Sequence, residues 1–381
     1  MANRDFALIY GLIVMNQERK VQRPFSHPLF GSSLSNLIRL LGLNGWVSWK
    51  HVPQLAVAFG SAMARVPFSL IEQIAYSGRL KHLKMKPPIF IVGHWRSGTT
   101  HICNILSQSP CFGFVTPVAT GMPHDLLIIG KLFKPWLERS IPSDRLIDRV
   151  EVNADSPQED EFGIANMIPL SFLHGLYFPR YFDRNFHKGI FQEQWSNREV
   201  SNWINASTSY LKKVYLDQHK HQLLIRNPAY SVRIPLLRQI WPQARFIHIY
   251  RNPYRIFPSM RNYFNKLLPA YSLQDYHHVN IEQTILDTYR LMMDKLIGDL
   301  SQTPEDQFIE ICYEKLEESP LEQLGMIYQH LALPGFEESK PHFERYLDGI
   351  RGYSKNEYDQ SQQEREMIRK YWGDIIEYYG Y

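Results

Sequence analysis

The segment Pro88-Ile89-Phe90-Ile91-Val92-Gly93-His94-Trp95-Arg96-Ser97-Gly98-Thr99-Thr100 restricts the fold of this chain more than any other. A short unbroken apolar run is what a strand buried on both faces of a parallel sheet presents, and here it ends at Gly93. Four residues intervene before Gly98, and Thr100 falls where a phosphate-binding loop carries its hydroxyl. Position 99, which is lysine in nucleoside triphosphatase loops, is Thr, and the nearest cation has moved upstream to Arg96. His101-Ile102-Cys103-Asn104-Ile105-Leu106 then suits a helix whose first amides would surround Gly98 and Thr99. Strand, glycine turn and helix occur in the order an anion-cradling loop requires, without the lysine of an ordinary ATPase.

Three later apolar runs read as further parallel strands: Leu223-Leu224-Ile225, Phe246-Ile247-His248-Ile249-Tyr250 and Phe308-Ile309-Glu310-Ile311-Cys312-Tyr313. Val232, Ile234, Leu236, Leu237 and Ile240 place a helix between the first two, which makes a βαβ unit. Residues 320–333 read as another helix, with Leu321, Leu324, Ile327, Tyr328 and Leu331 on one face. The expected fold is a doubly wound parallel α/β sheet, P-loop-like and three-layered α/β/α, spanning residues 86–381. Residues 117–215, rich in Pro, Phe, Tyr and Trp and poor in strand pattern, are expected to be a helical insertion over the ligand edge of the sheet. Residues 1–85 form an N-terminal helical segment, with apolar spacing at Leu37, Leu40, Leu41 and Leu43 and again at Phe68, Ile71, Ile74 and Ala75. Its apolar stripes are expected to pack on the main core; a lid, an acceptor-side wall or a membrane-contacting surface are the other readings.

At 381 residues and 44% hydrophobic the chain can bury a large core, which excludes disorder by composition. A net charge of +4 is too small for the electrostatic footprint of a nucleic-acid binder, so no such partner is expected. Cys103, Cys111 and Cys312 make neither an even disulfide framework nor a metal-ligand spacing, which points to a reducing, cytoplasmic setting. His277-His278 and His219-Lys220-His221 lack acidic or cysteine partners at ligand spacing, and no metal site is expected. The apolar run at residues 6–15 is too short to span a bilayer and lacks a following small-residue cleavage site. A second weakly polar stretch, residues 51–64, is expected to stop at Arg65 and Pro67 before reaching spanning length.

A second constellation closes the strand at 246–250: Arg251-Asn252-Pro253, with Ser259 eight residues after Arg251. Arg251 would emerge at the ligand edge, Pro253 would open a helix, and Ser259 would ride on it to give a second anion site. Read singly, the first motif could be a tight strand-to-helix turn and the second a surface charge cluster. Together they resemble the sulfotransferases that use 3′-phosphoadenosine 5′-phosphosulfate (PAPS), in the bacterial and Golgi-like branch with an Arg-Ser-Gly-Thr-Thr loop. The resemblance extends through Leu223-Leu224-Ile225-Arg226-Asn227-Pro228 and Ile311-Cys312-Tyr313-Glu314-Lys315-Leu316, and more weakly to Arg351-Gly352-Tyr353-Ser354-Lys355. It implies that Arg96, Ser97, Gly98, Thr99 and Thr100 embrace the 5′-phosphosulfate, and that Arg251 and Ser259 bind the 3′-phosphate. It also implies a hydroxyl-bearing acceptor, whether small molecule, lipid or glycan, and no required metal.

Asp155-Ser156-Pro157-Gln158-Glu159-Asp160-Glu161 sets four carboxylates within seven residues. One of them, if desolvated, could take a proton from an acceptor hydroxyl; alternatively the cluster is a solvated acidic helix start, and the sequence favours neither. The candidate bases are Glu159 or Glu161, then His124, with Arg96 stabilising charge on the departing phosphate. His94 reads as structural or donor-contacting. The rival readings are an ATP-using kinase, which would need Lys at 99 and a metal-binding Asp at a strand end, and a non-catalytic nucleotide-binding module.

Overall fold

A computed structural model describes residues 27–130, 132, 153–351 and 358–381. The apolar run at 6–15 and residues 352–355 of the late loop lie outside them. Five strands, β1 (Ile89–Val92), β2 (Phe112–Phe114), β3 (Gln222–Arg226), β4 (Arg245–Tyr250) and β5 (Phe308–Cys312), form one parallel sheet in the order β2-β3-β1-β4-β5. The four apolar runs are β1, β3, β4 and β5. β2, only three residues at the sheet edge, is too short to carry a strand pattern in its sequence.

Alternation of side chains splits β1 between two cores. Phe90 and Val92 join Leu223, Ile225 and Phe246 on one face, while Ile89 and Ile91 join Leu224, Ile247 and Ile249 on the other. Register pairs Phe90 with Ile225 and with Phe246, so apolar residues meet across three adjacent strands. From β1 the chain goes to the edge strand β2, returns to fill the gap with β3, then crosses to the other side of β1 as β4. That reversal opens a crevice at the carboxyl end of β1, where an α/β sheet binds its ligands.

Before the sheet come α1 (Leu34–Asn44) and α2 (Val52–His82). After β1 comes α3 (Thr99–Leu106), and the described part of the insertion is helical, including α4 (Glu161–Met167) and α5 (Asn197–Gln218). The βαβ helix is α6 (Ile234–Ile240), α7 (Pro253–Tyr271) follows β4, and α8 (Tyr313–Glu318) follows β5. The helix expected at 320–333 spans Pro320–His330.

The N-terminal segment departs from expectation twice. α2 does not stop at Arg65 and Pro67; it continues to His82. Arg65 is no polar terminator, because it is buried and its Nη1 donates to Asp125 Oδ1 at 2.9 Å while Nη2 donates to Ser32 O at 2.7 Å. Pro67 and Met63, the residue four positions before it, are both exposed, so the carbonyl that the missing N–H leaves unpaired lies on the solvent side of the helix.

The second departure concerns which face packs. Leu55, Ala58, Ala62, Arg65 and Glu72 are buried, whereas Phe68, Ile71, Ile74 and Ala75 face outward. The expected core-facing stripe is therefore the exposed one. Two polar anchors decided this: Arg65 with Asp125, and Glu72, which pairs with Lys213 Nζ at 2.6 Å and accepts from the amides of Leu127 at 2.7 Å and Ile128 at 3.1 Å.

Candidate functional site

The loop after β1 needs two glycines for different reasons. Gly93 has φ 142°, and a Cβ there would press on the Ile249 carbonyl of the neighbouring strand; its own amide donates to Ser231 Oγ at 2.8 Å. Gly98 has φ 107° and caps α3, and a Cβ there would run into the Tyr313 ring. Between them Arg96 holds a left-handed backbone at φ 68°, a strained conformation of the kind that collects at functional loops. The turn leaves the first amides of α3 open to an anion.

Arg96 turns its side chain toward a residue 163 positions later: Nε donates to Ser259 Oγ on α7 at 2.9 Å. Arg251, at the end of β4, donates from Nη1 to Arg96 O at 3.4 Å and lays its guanidinium 4.3 Å over the Tyr313 ring. Asn252 fixes this corner. Its Oδ1 accepts from Tyr254 N at 2.9 Å to start α7 at Pro253, and its amide donates to Glu314 Oε1 at 3.2 Å. Arg96, Gly98, Thr99, Thr100, Arg251 and Ser259 all line one cleft of about 1600 Å³. Ser97 is buried beneath it, and its Oγ and the Nε of Arg251 are buried polar atoms with no protein partner.

The structure adds residues that the sequence reading gave no role. Arg226, at the carboxyl end of β3, donates from Nη1 to Thr100 Oγ1 at 2.9 Å and to Glu159 Oε1 at 2.7 Å. Asn227 repeats the part of Asn252, its Oδ1 capping the next turn through Ala229 N at 3.0 Å. The signal was present as a repeated Arg-Asn-Pro after two strands, at 226–228 and 251–253. Tyr313 is the third such residue, serving as floor for both Gly98 and Arg251.

The acidic cluster is pulled apart. Asp155 lines the cleft and Glu159 meets Arg226 beside Thr100. Asp160 and Glu161 point into the protein and are fully buried, each accepting from Asn227 Nδ2 at 2.9 Å, with Tyr230 Oη also donating to Asp160. Burial pushes Asp160 up to about 7 and raises Glu161 as well. Glu161 is thus withdrawn from the cleft, because Asn227 and the buried Arg233 hold it inside as a structural carboxylate. His124 is not among the residues lining the cleft either. Its Nε2 sits 3.4 Å from Asn166 O, and burial lowers it to about 4. His94 is a packing residue: Nδ1 donates to Trp95 O at 2.9 Å, the ring meets Trp95 and Tyr289 edge-on, and burial lowers it to about 4. Among the described residues no group of three or more His, Cys, Asp or Glu could hold a metal ion.

Such a cleft concentrates guanidinium groups, hydroxyls and helix-start amides at two points, with Asp155 among the carboxylates on its wall and Glu159 joined to Thr100 through Arg226. That chemistry suits a ligand with two separate anionic groups. Comparison with known proteins narrows it. Residues 87–338 match the Sulfotransferase family. The omega-hydroxy-beta-dihydromenaquinone-9 sulfotransferase Stf3 of Mycobacterium bovis, and that of Mycobacterium tuberculosis, are 30% identical over 363 residues, covering 94% of this chain and 92% of theirs. In fold, the chain matches the crystal structure of sulfotransferase STF1 from Mycobacterium tuberculosis with a TM-score of 0.66, at 15% identity over 90% of this chain and 91% of that one. It matches STF9 from Mycobacterium avium equally, with a TM-score of 0.66 at 16% identity over 91% and 96%. The loop, the parallel sheet and the end-to-end likeness to Stf3 agree, and the chain belongs to the sulfotransferase family, as an enzyme that transfers sulfuryl groups to an acceptor.

Proposed function

We propose that the sulfuryl donor is PAPS, held with its 5′-phosphosulfate in the Arg96–Thr100 loop and its 3′-phosphate on Arg251 and Ser259. The observation that carries this reading is the bond from Arg96 Nε to Ser259 Oγ, which joins two anion grips from distant parts of the sequence into one cleft. The buried, unpartnered Ser97 Oγ and Arg251 Nε fit the donor, since each is a hydrogen-bonding atom that the protein itself leaves unsatisfied. PAPS supplies an activated sulfuryl group on a phosphate leaving group.

The chain's own residues bind, orient and move a proton. Loop amides and Arg96 offer positive charge where the phosphate gains negative charge, which costs no reorganisation because Gly98 and Ser259 already fix them. Arg226 bridges Thr100 and Glu159, and Glu159 is the base, a carboxylate beside the loop that can accept the acceptor's hydroxyl proton. The acceptor is an apolar, hydroxyl-bearing lipid of the isoprenoid class. The likeness to Stf3 over nearly the full length of both chains supports that reading.

Calorimetry with 3′-phosphoadenosine 5′-phosphate against ATP and magnesium tests the donor; tighter binding of ATP defeats the reading. Arg96→Ala should cut turnover about 100-fold or more with little change in melting temperature, and a near-native rate would remove Arg96 from its role. Glu159→Gln should lower kcat by about 100-fold to 10,000-fold while donor binding stays intact. Loss of donor binding in that variant would make Glu159 a support for Arg226 and Thr100 instead.

A further inference from the structure

Residues 27–86 carry an unusual division of charge. Their one acidic residue, Glu72, is buried against Lys213, and Arg65 is buried against Asp125. Every remaining Lys and Arg, namely Arg39, Lys50, Arg79, Lys81, Lys84 and Lys86, is exposed. The outer surface of this segment is therefore purely cationic. Between those cations the outward face of α2 carries no charge at all from Pro53 to Ala75, and Met63, Pro67, Leu70, Ile71 and Ile74 recur along it at steps of three and four residues. Ile74 is 80% exposed, and Trp49, in the turn that leads into α2, is 85% exposed.

An apolar stripe of this length is not left bare on a soluble surface without a partner. An 18-residue window within Trp49–His82 has a mean hydropathy of 1.3, apolar and long enough to cross a bilayer, yet the other face of the helix is committed to the fold through both buried ion pairs. A helix tied down along one side cannot thread a membrane, but it can lie in the interface with the free side immersed. A second copy of the chain is a poorer occupant, because like-charged rims would meet.

We infer that the outward face of α2, with Trp49 and its border of six Lys and Arg residues, docks the enzyme on an anionic lipid surface. Apolar residues enter the boundary of the acyl chains, and the cations are drawn to the anionic headgroups. The inference stands apart from the donor reading, since nucleotide binding needs no lipid.

Sedimentation of the full chain with phosphatidylcholine vesicles, with and without phosphatidylglycerol, tests it. Binding should require phosphatidylglycerol and weaken as salt is raised. The triple variant Leu70→Ser, Ile71→Ser, Ile74→Ser and the double variant Lys81→Glu, Lys84→Glu should each lose about tenfold or more in partitioning. All five positions lack buried roles, so both variants should keep wild-type melting temperature and calorimetric nucleotide binding. No binding to anionic vesicles, or equal binding by wild type and both folded variants, overturns the proposal. So does a dimer in solution that the triple variant dissolves, which would assign the face to a second copy.

Discussion

β1 with its loop and α2 are both apolar stretches, and the fold treats them in opposite ways. In β1 all four residues are buried, and the polar residues that follow gather around a cleft. In α2 the apolar residues of one stripe face outward while an arginine and a glutamate are taken inside. A strand in the middle of a parallel sheet has no solvent face, so its apolar content can only be core. A helix on the outside has two faces, and its orientation is set by whichever contacts are strongest. For α2 these are two ion pairs, and the weaker apolar stripe takes the remaining side.

Substitutions at matched positions sharpen the contrast. Gly98→Ala carries the largest expected effect, since the residue has φ 107° and a Cβ would strike the Tyr313 ring. Donor binding should be abolished in calorimetry, and retention of full affinity would mean the loop re-forms around the added methyl. Arg65→Met leaves Asp125 buried without its partner and should cost about 3–5 kcal/mol by denaturant unfolding. A cost below 1 kcal/mol would show that the ion pair does not orient α2.

Stability against pH gives an intermediate effect. His94, beneath the loop, is held by burial at about 4 against an ordinary 6.5, and His124 shares that value. The unfolded chain takes up their protons first as pH falls below 6.5, so stability is complete above that value and drains away toward about 4. Within this window each histidine contributes up to about 1.4 kcal/mol per pH unit. Melting curves of His94→Gln should show a shallower acid slope than wild type. An unchanged slope would mean His94 is reached by water.

The smallest effect is expected on the outer half of α2. Gly78 is helical and a Cβ there would meet nothing within 4 Å, so Gly78→Ala should stabilise by about 0.5–1 kcal/mol. Destabilisation would reveal a contact on a surface that is open among the described residues.

Much of the cleft was legible because its parts are local. The glycine spacing from Gly93 to Gly98, the strand endings and the Asn-Pro helix starts are short-range patterns, each constrained by backbone chemistry. The acidic cluster was not legible in the same way. Glu159, Asp160 and Glu161 are consecutive, yet one reaches Arg226 beside Thr100 and the other two go to Asn227 in the interior. Nothing in the spacing of neighbouring carboxylates says which will be desolvated; that depends on partners more than sixty residues away. Arg226 itself was visible as half of a repeated Arg-Asn-Pro, but its two bonds exist only because β3 lies beside β1.

The amino-acid sequence by itself determined the parallel sheet, the glycine loop without its lysine, and the placing of Arg251 at a strand end with Ser259 on the helix that follows, because periodicity and turn chemistry act over a few residues. Only the tertiary structure decided that Arg96 reaches Ser259, that Glu161 and His124 are withdrawn from the cleft, and that α2 turns its apolar stripe outward. Those outcomes rest on competition between buried charge pairs and apolar packing, and the winner is set by what lies across the fold, not by what lies next in the chain.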